Sequence, residues 1–391
     1  MLYDVLEISQ KLIRCASVTP FDDGAQDVLR DLLVPLGFTA QDYTKENIRN
    51  TVFTLYIGGA TAQDAGRHLC FAGHTDVVPV GNSDDWTDDP FAAVVKDDVL
   101  YGRGACDMKT GITAFVAALS QFLDDPDFQA AKAPKGTISL LITGDEEAEA
   151  LHGTKYVLEQ LEAAQRLPNV SLVGEPTNPK AAGDEIKCGR RGSLTGVLRV
   201  RGQQGHVAYP QKADNPLPKL LRLCTALAMH EFDQGNEFFP ATNLEWTSID
   251  TGNQADNVIP AAAHAQFNVR FNDQWSAASL EQAITKILAS VGVAQAEYDL
   301  QCRSNAESFL TPQGEWANLV RDAVAQVTGR APELSTKGGT SDARFIAPYG
   351  DVVEYGLINT SAHQVDEHMP VAALYEGVEI YTAILKRYFS V

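Results

Sequence analysis

Basic residues are scarce in this chain: 31 Lys and Arg stand against 51 Asp and Glu, a formal charge of -20. A field of that sign argues against nucleic acid or an anionic membrane as a partner. A small anionic substrate would need local arginines to overcome the general repulsion. Cysteine is also sparse, and the 6 present never form a CxxC pair. That pattern fits reduced thiols better than a disulfide framework. No apolar run approaches the roughly 20 residues that span a bilayer. The opening MLYDVLEISQKLIR breaks its apolar residues with Asp4, Glu7 and Gln10. It reads as an amphipathic helix, not a signal peptide. The expectation is a cytoplasmic protein without a membrane or nucleic-acid partner. With 45% hydrophobic residues over 391 positions, the chain has material for a sizeable core and two domains.

The first half alternates in character. Residues 4–14, 24–36, 108–123 and 153–164 have helical periodicity, and 51–57, 68–72, 136–144 and 170–174 read as strands. Alternation of this kind predicts an α/β sheet with helices on both faces. The middle differs. Strand-like 193–201, helix-like 216–231, strands 242–250 and 263–271, helix 277–290 and strand 296–302 follow one another. The order β-α-β-β-α-β is that of a small ferredoxin-like α+β domain. After residue 307 the earlier style returns, with a helix over 314–328 and strands over 333–336 and 351–357. The expected organisation is a large mixed-sheet α/β domain, residues 1–187 and 308–391, interrupted by a small domain, residues 188–307.

Four stretches place His, Asp or Glu just beyond a predicted strand or at the mouth of a helix. FAGHTDVVP holds His74 and Asp76; YGRGACDMKTG holds Asp107; ITGDEEAEA holds Glu146 and Glu147; VGEPT holds Glu175. Taken singly, each has a plain structural explanation. A strand-end histidine is usually just hydrogen-bonded, a DEE run is usually a solvated turn, and Asp107 could cap the following helix. Taken together they suggest a site, because ligands of open α/β sheets gather beyond the carboxyl ends of the strands. Acidic groups collected there repel one another unless a cation joins them. A mixed N/O set suits zinc or another divalent metal in an open site. Asp76 would then accept the free ring N–H of His74 and fix its tautomer.

GHTDVVP, GRGACDMK, TGDEEAEA and VGEP, in this order and spacing, resemble the co-catalytic dizinc amidohydrolases and exopeptidases. The resemblance covers nearly the whole chain. It implies a zinc-hydrolase catalytic domain interrupted by a dimerisation (lid) domain, and a homodimer. It also implies two zinc ions per subunit, with cobalt able to substitute. Asp107 matches the carboxylate bridging the ions, and His74 and Glu175 match further ligands of one. Glu147 matches a ligand of the other, and His363 in SAHQVDE supplies the fifth. Glu146 matches the general base. Glu175 and His363 lie on opposite sides of the small-domain segment, which favours an interrupted domain over two sequential ones. The chain departs from the family at Asp366, where Asn is common, and at Leu357 and Ile358, where a Pro-Ser pair is frequent. Two metal ions roughly 3.5–4 Å apart can share a water and lower its pKa toward about 7. Glu146 would take the remaining proton and return it to the leaving amine.

Arginines and glycines bear on the substrate. CGRRGSLTG contributes Arg190, Arg191 and Ser193, and FNVRF contributes Arg270. GGTSDARF is a glycine-rich loop in which Gly339 and Thr340 could cradle a carboxylate with backbone amides. A guanidinium fork suits a carboxylate; a surface salt bridge is the plain alternative for each arginine, explaining Arg191 equally simply but Arg190 less well, because Arg190 falls on a family position. GRRGS, GQQGHVAYP, ADNVIPA and STKGGTSDARF look most like one branch of the family. That branch hydrolyses N-succinyl-LL-2,6-diaminopimelate to succinate and LL-2,6-diaminopimelate, on the route to lysine. The implied substrate is a small acyl-amino acid with three carboxylates, and Tyr209 and Asn257 join its implied contacts. The resemblance also implies that His206 reaches across the dimer interface to steady the oxyanion in the neighbouring site. Acetylornithine deacetylase, or another N-acyl-amino-acid hydrolase, is the alternative branch. A non-catalytic metal-binding homologue is a reading from another class. Glu146 counts against it, because a purely structural metal site has no use for an unliganded glutamate.

Overall fold

The structure is a computed structural model, and it describes residues 2–126, 128 and 135–390. The chain divides into two compact units. The larger comprises the chain up to Cys188, Thr311–Ser335, and the segment from Ser341 onward. The smaller comprises Gly189–Leu310 and Thr336–Thr340.

The larger unit is organised by the strand Gly136–Thr143, GTISLLIT, which is buried at every position. A strand free of charged residues can be covered on both faces, as the centre of an α/β sheet requires. It pairs in parallel with Arg67–His74, which pairs in parallel with Val170–Val173. The full sheet has eight strands in the order Thr39–Asp42, Thr51–Ile57, Gly136–Thr143, Arg67–His74, Val170–Val173, Asp351–Glu354, Glu185–Lys187, Glu333–Ser335. Parallel and antiparallel pairings mix in it, as the expected mixed sheet should. The helix Lys109–Asp124 is almost wholly buried. Its Phe115 stacks on Phe71 with ring centroids 4.2 Å apart, and Tyr381 meets both edge-on. Truncating an aromatic ring in such a core typically costs about 3–5 kcal/mol. Tyr381 belongs to the helix Val371–Phe389, which the sequence reading does not anticipate. Its buried residues Leu374, Val378, Tyr381, Leu385 and Phe389 recur at helical spacing, so the signal is present.

A buried histidine gives this sheet a pH dependence. His68 lies in the strand Arg67–His74, and its Nε2 is 2.8 Å from Ser139 Oγ. Burial pushes its pKa down to about 4 from an ordinary 6.5. The unfolded chain therefore binds a proton that the folded chain refuses. Stability from this site is full above about pH 6.5 and is lost as the pH falls toward 4. The full effect is about 3 kcal/mol. His68→Gln is expected to flatten the pH dependence of denaturant unfolding across that window, and an unchanged slope would contradict the assignment.

The smaller unit reads more simply. The strand Ala262–Phe271 alternates buried and outward residues, with Ala263, Ala265, Phe267, Val269 and Phe271 inward. That period of two makes a half-covered antiparallel strand. The sheet order is Asn243–Asp250, Ala262–Phe271, Gly192–Arg201, Tyr298–Ala306. The helices Pro216–Ala228 and Ala277–Ser290 bury Leu220, Leu223, Leu227, Leu280, Ile284 and Leu288 with the sheet's inward residues. This is the β-α-β-β-α-β order of a ferredoxin-like domain. Thr336–Thr340 belongs here, although its neighbours in sequence belong to the larger unit. Arg190 Nη1 donates to the Lys337 carbonyl at 3.2 Å, and Thr336 Oγ1 donates to the Phe238 carbonyl.

Candidate metal centre

Three adjacent parallel strands deliver the first donors. His74 is the last residue of Arg67–His74, the middle strand. Glu146 and Glu147 follow Gly136–Thr143 on one side, and Glu175 follows Val170–Val173 on the other. Asp107 lies in the turn before the helix Lys109–Asp124. That helix can approach because Gly111 lies against the backbone of Gly174: a Cβ there would sit 2.5 Å from the Gly174 carbonyl oxygen. His363 comes from the loop before the last helix, with φ at +64°.

The side chains converge. His74 Nε2 lies 3.2 Å from Asp107 Oδ1 and 3.5 Å from Glu175 Oε1. His363 Nε2 lies 3.0 Å from Glu147 Oε1 and 3.4 Å from Asp107 Oδ2. Asp107 thus turns one oxygen to each imidazole, as a bridging carboxylate must. Donor atoms of His74, Asp107 and Glu147 lie within 4.8 Å of one another, and so do those of His74, Glu146 and Glu175. All five residues expected as ligands fall in one cluster, and Glu146 falls beside them.

Asp76 departs from expectation in one respect. The ring N–H of His74 is taken by the backbone carbonyl of Asp76, with Nδ1 2.8 Å from that oxygen. The Asp76 carboxylate is 3.7 Å away and otherwise engaged. It accepts the backbone N–H of Glu146 at 3.1 Å and of Glu147 at 3.0 Å. The tautomer is still fixed, and Nε2 is left to face the cluster. The carboxylate holds the turn that carries both glutamates.

The cluster concentrates buried, mutually repelling carboxyl groups. Burial first, and then Asp107, push Glu175 up to about 8. Burial also drives Glu146 well above the usual carboxylate range. Hydrogen bonds to Asp107 and Glu147 lift His363 to about 10. Burial opposes charge on His74, but Asp107 and Glu175 outweigh it and hold its pKa well above ordinary. Asp107 is held low by the two imidazoles despite its own burial. Alone, the site is tolerable only by retaining protons. A divalent cation would replace them, and a mixed N/O donor set of this kind suits one. The residues fit a divalent metal ion.

The loop of His363 explains its departure from the family pattern. Asp366 accepts the Thr87 N–H at 2.8 Å and the Thr87 hydroxyl at 2.7 Å, fastening the loop to a distant turn. Its φ of +55° is one that Asp, like Asn, tolerates. Burial raises the Cys106 thiol to about 12, which disfavours the reactive thiolate. Two residues here have no counterpart in the sequence reading. Glu367 and Arg103 form a fully buried pair with Oε2 and Nη1 2.7 Å apart.

The residues expected to bind substrate all lie in the smaller unit and gather in three places. Arg190 sits with the 336–340 segment, which includes Gly339 and Thr340. Ser193 stands opposite Arg270 in the register of Gly192–Arg201 and Ala262–Phe271. His206, Tyr209 and Asn257 group at a two-stranded ladder, where His206 pairs with Val258 and the Val207 N–H donates to the Asn257 carbonyl. Arg191 has a structural role, donating to Asn243 Oδ1 at 2.9 Å.

The model of peptidase family M20/M25/M40 matches residues 70–387. The chain belongs to that family. Membership makes it a metal-dependent amidohydrolase. A succinyl-diaminopimelate desuccinylase of Rhodospirillum centenum is 49% identical over 391 residues, covering 100% of this chain and 98% of that one. One from Parvibaculum lavamentivorans is 46% identical, covering 99% and 96%. Among solved structures, the M20 metallo-carboxypeptidase of Sulfolobus solfataricus shares the fold, with a TM-score of 0.78 at 16% identity and 100% of both chains covered. A dinuclear metal-binding peptidase of Bacillus subtilis matches with a TM-score of 0.69 at 15% identity, covering 97% of each. The fold class read from sequence is borne out. No helix among the described residues is long and apolar enough to cross a membrane.

Proposed function

We propose that this protein hydrolyses the amide of N-succinyl-LL-2,6-diaminopimelate, releasing succinate and LL-2,6-diaminopimelate. The observation that carries this choice over other acyl-amino-acid hydrolases is the full-length identity to desuccinylases. His74, Asp107, Glu147, Glu175 and His363 would hold two divalent ions, zinc as the sequence implies. When bound, such ions supply Lewis-acid polarisation of the amide carbonyl and acidification of water. Glu146 takes the proton from the attacking water and passes it to the amide nitrogen as the C–N bond breaks. Asp76 keeps the Glu146 backbone in place for that transfer.

Recognition of a tricarboxylate falls to the smaller unit. It holds 11 basic and 12 acidic residues, so nearly all of the net charge of -20 lies on the larger one. Arg190, Ser193, Tyr209, Asn257, Arg270 and the Gly339–Thr340 backbone are its proposed contacts. Arg190→Ala and Arg270→Ala are each expected to raise the Michaelis constant for the succinylated substrate, because a carboxylate loses a charge-assisted partner. Unchanged kinetics in both would favour a substrate with fewer carboxylates. The protein is further proposed to act as a cytoplasmic homodimer, with His206 serving the partner's site.

A further inference from the structure

We propose that Glu367 is a positioning residue which, with Arg103, forms a buried clasp setting the relation between Asp107 and His363. The inference rests on the metal-centre reading above. Neither residue stands among the expected ligands or substrate contacts.

The clasp is dense. Glu367 is completely buried and Arg103 nearly so. Oε2 of Glu367 accepts from Arg103 Nη1 at 2.7 Å and from the Gly104 N–H at 3.0 Å. Oε1 accepts from the N–H of Cys106 at 2.8 Å and of Asp107 at 2.9 Å. Four donors therefore converge on one carboxylate, and the last belongs to the central residue of the donor cluster. The backbone of Glu367 adds a fifth tie, its carbonyl accepting the Gly102 N–H at 2.8 Å. Arg103 extends the link. It also donates to the carbonyls of Gln364, next to His363, and of Pro79, just beyond Asp76. Its guanidinium lies over the Trp86 ring, 5.1 Å from the centroid.

One ion pair thus fastens the turns that carry Asp107 and His363 to the turn after Asp76. The two oxygens of Asp107 face different imidazoles, so a small rotation of its backbone would misplace both contacts. A carboxylate can accept from all four donors because each of its oxygens has two lone pairs and neither carries a proton. A glutamine of the same shape cannot. Its NH₂ would confront either Arg103 and Gly104 or Cys106 and Asp107.

The test is metal affinity, measured by competition with a chromophoric chelator on zinc-reconstituted full-length protein. Outer partners of metal ligands typically contribute about 10–100-fold in affinity, and Glu367→Gln is expected to lose that much. At saturating cobalt its visible bands should differ from those of the wild type, reporting altered ligand geometry. Leu29→Ala, at a fully buried core position of the helix Ala25–Leu33, is the control for general destabilisation. It should lower the melting temperature and leave affinity and spectrum unchanged. Affinity of Glu367→Gln within about twofold of wild type, or falling no further than in Leu29→Ala, would overturn the proposal. If Glu367→Gln does not fold, Arg103→Lys carries the test. It keeps the charge and loses the fork, so several-fold weaker binding is expected and unchanged binding refutes the clasp. A wild-type protein that binds no metal would remove the metal-centre reading and this proposal with it, and that outcome is visible before any variant is made.

Discussion

Glu146→Gln is expected to lose about 10²–10⁴-fold or more in turnover while binding as much metal as the wild type. The substitution preserves shape and the backbone N–H that donates to Asp76, so the turn stays in place. What it removes is the ability to take a proton from water and return it to the leaving nitrogen. The comparison with Glu147→Gln sharpens the result. Glu147 lies 3.0 Å from His363 Nε2 and is proposed as a ligand, so its variant should lose metal as well as turnover. A carboxylate oxygen of Glu146 itself lies within 4.8 Å of potential ligand atoms of His74 and Glu175. If Glu146→Gln loses one ion, Glu146 is a ligand and the division of labour between the glutamates is wrong. If it keeps both ions and near-normal turnover, the proton shuttle lies elsewhere.

Mixing two dead enzymes is expected to restore activity. Glu146→Ala lacks the proposed base, and His206→Ala lacks the proposed oxyanion donor, so each homodimer should be nearly inactive. When the two are unfolded together and refolded, random pairing makes about half of the dimers mixed. In a mixed dimer, one site combines an intact Glu146 with the partner's intact His206. The expected recovery is about a quarter of wild-type activity. His206 is exposed at the ladder with Val258–Ile259, and Tyr209, Val207 and Ile249 of the same unit are exposed apolar surface. No recovery on mixing would place His206 within its own subunit's site, or outside catalysis.

The metal centre was legible because parallel neighbours deliver their strand ends to one place. Four strand-end or turn motifs within about a hundred residues can be read as one site before any contact is known, since adjacent parallel strands share one carboxyl edge. The partner of the His74 ring N–H was not legible. The carbonyl and the carboxylate of Asp76 are both within reach of that ring, and only the pull of the Glu146 and Glu147 amides decides between them. The role of Glu367 is not legible from its own segment, because its partner Arg103 lies 264 residues away. No local pattern marks such a pair. The grouping of Thr336–Thr340 with the smaller unit was hidden for the same reason. The helix Val371–Phe389 is different: its apolar spacing was there to be read.

The most direct test of the account is steady-state hydrolysis of N-succinyl-LL-2,6-diaminopimelate and of acetylornithine by one preparation whose metal content is measured on the same sample. The predicted result is close to two zinc ions per chain, a much higher kcat/KM for the succinylated substrate, and loss of activity on chelation that zinc reverses. Preference for acetylornithine, or turnover that survives removal of the metal, would contradict it.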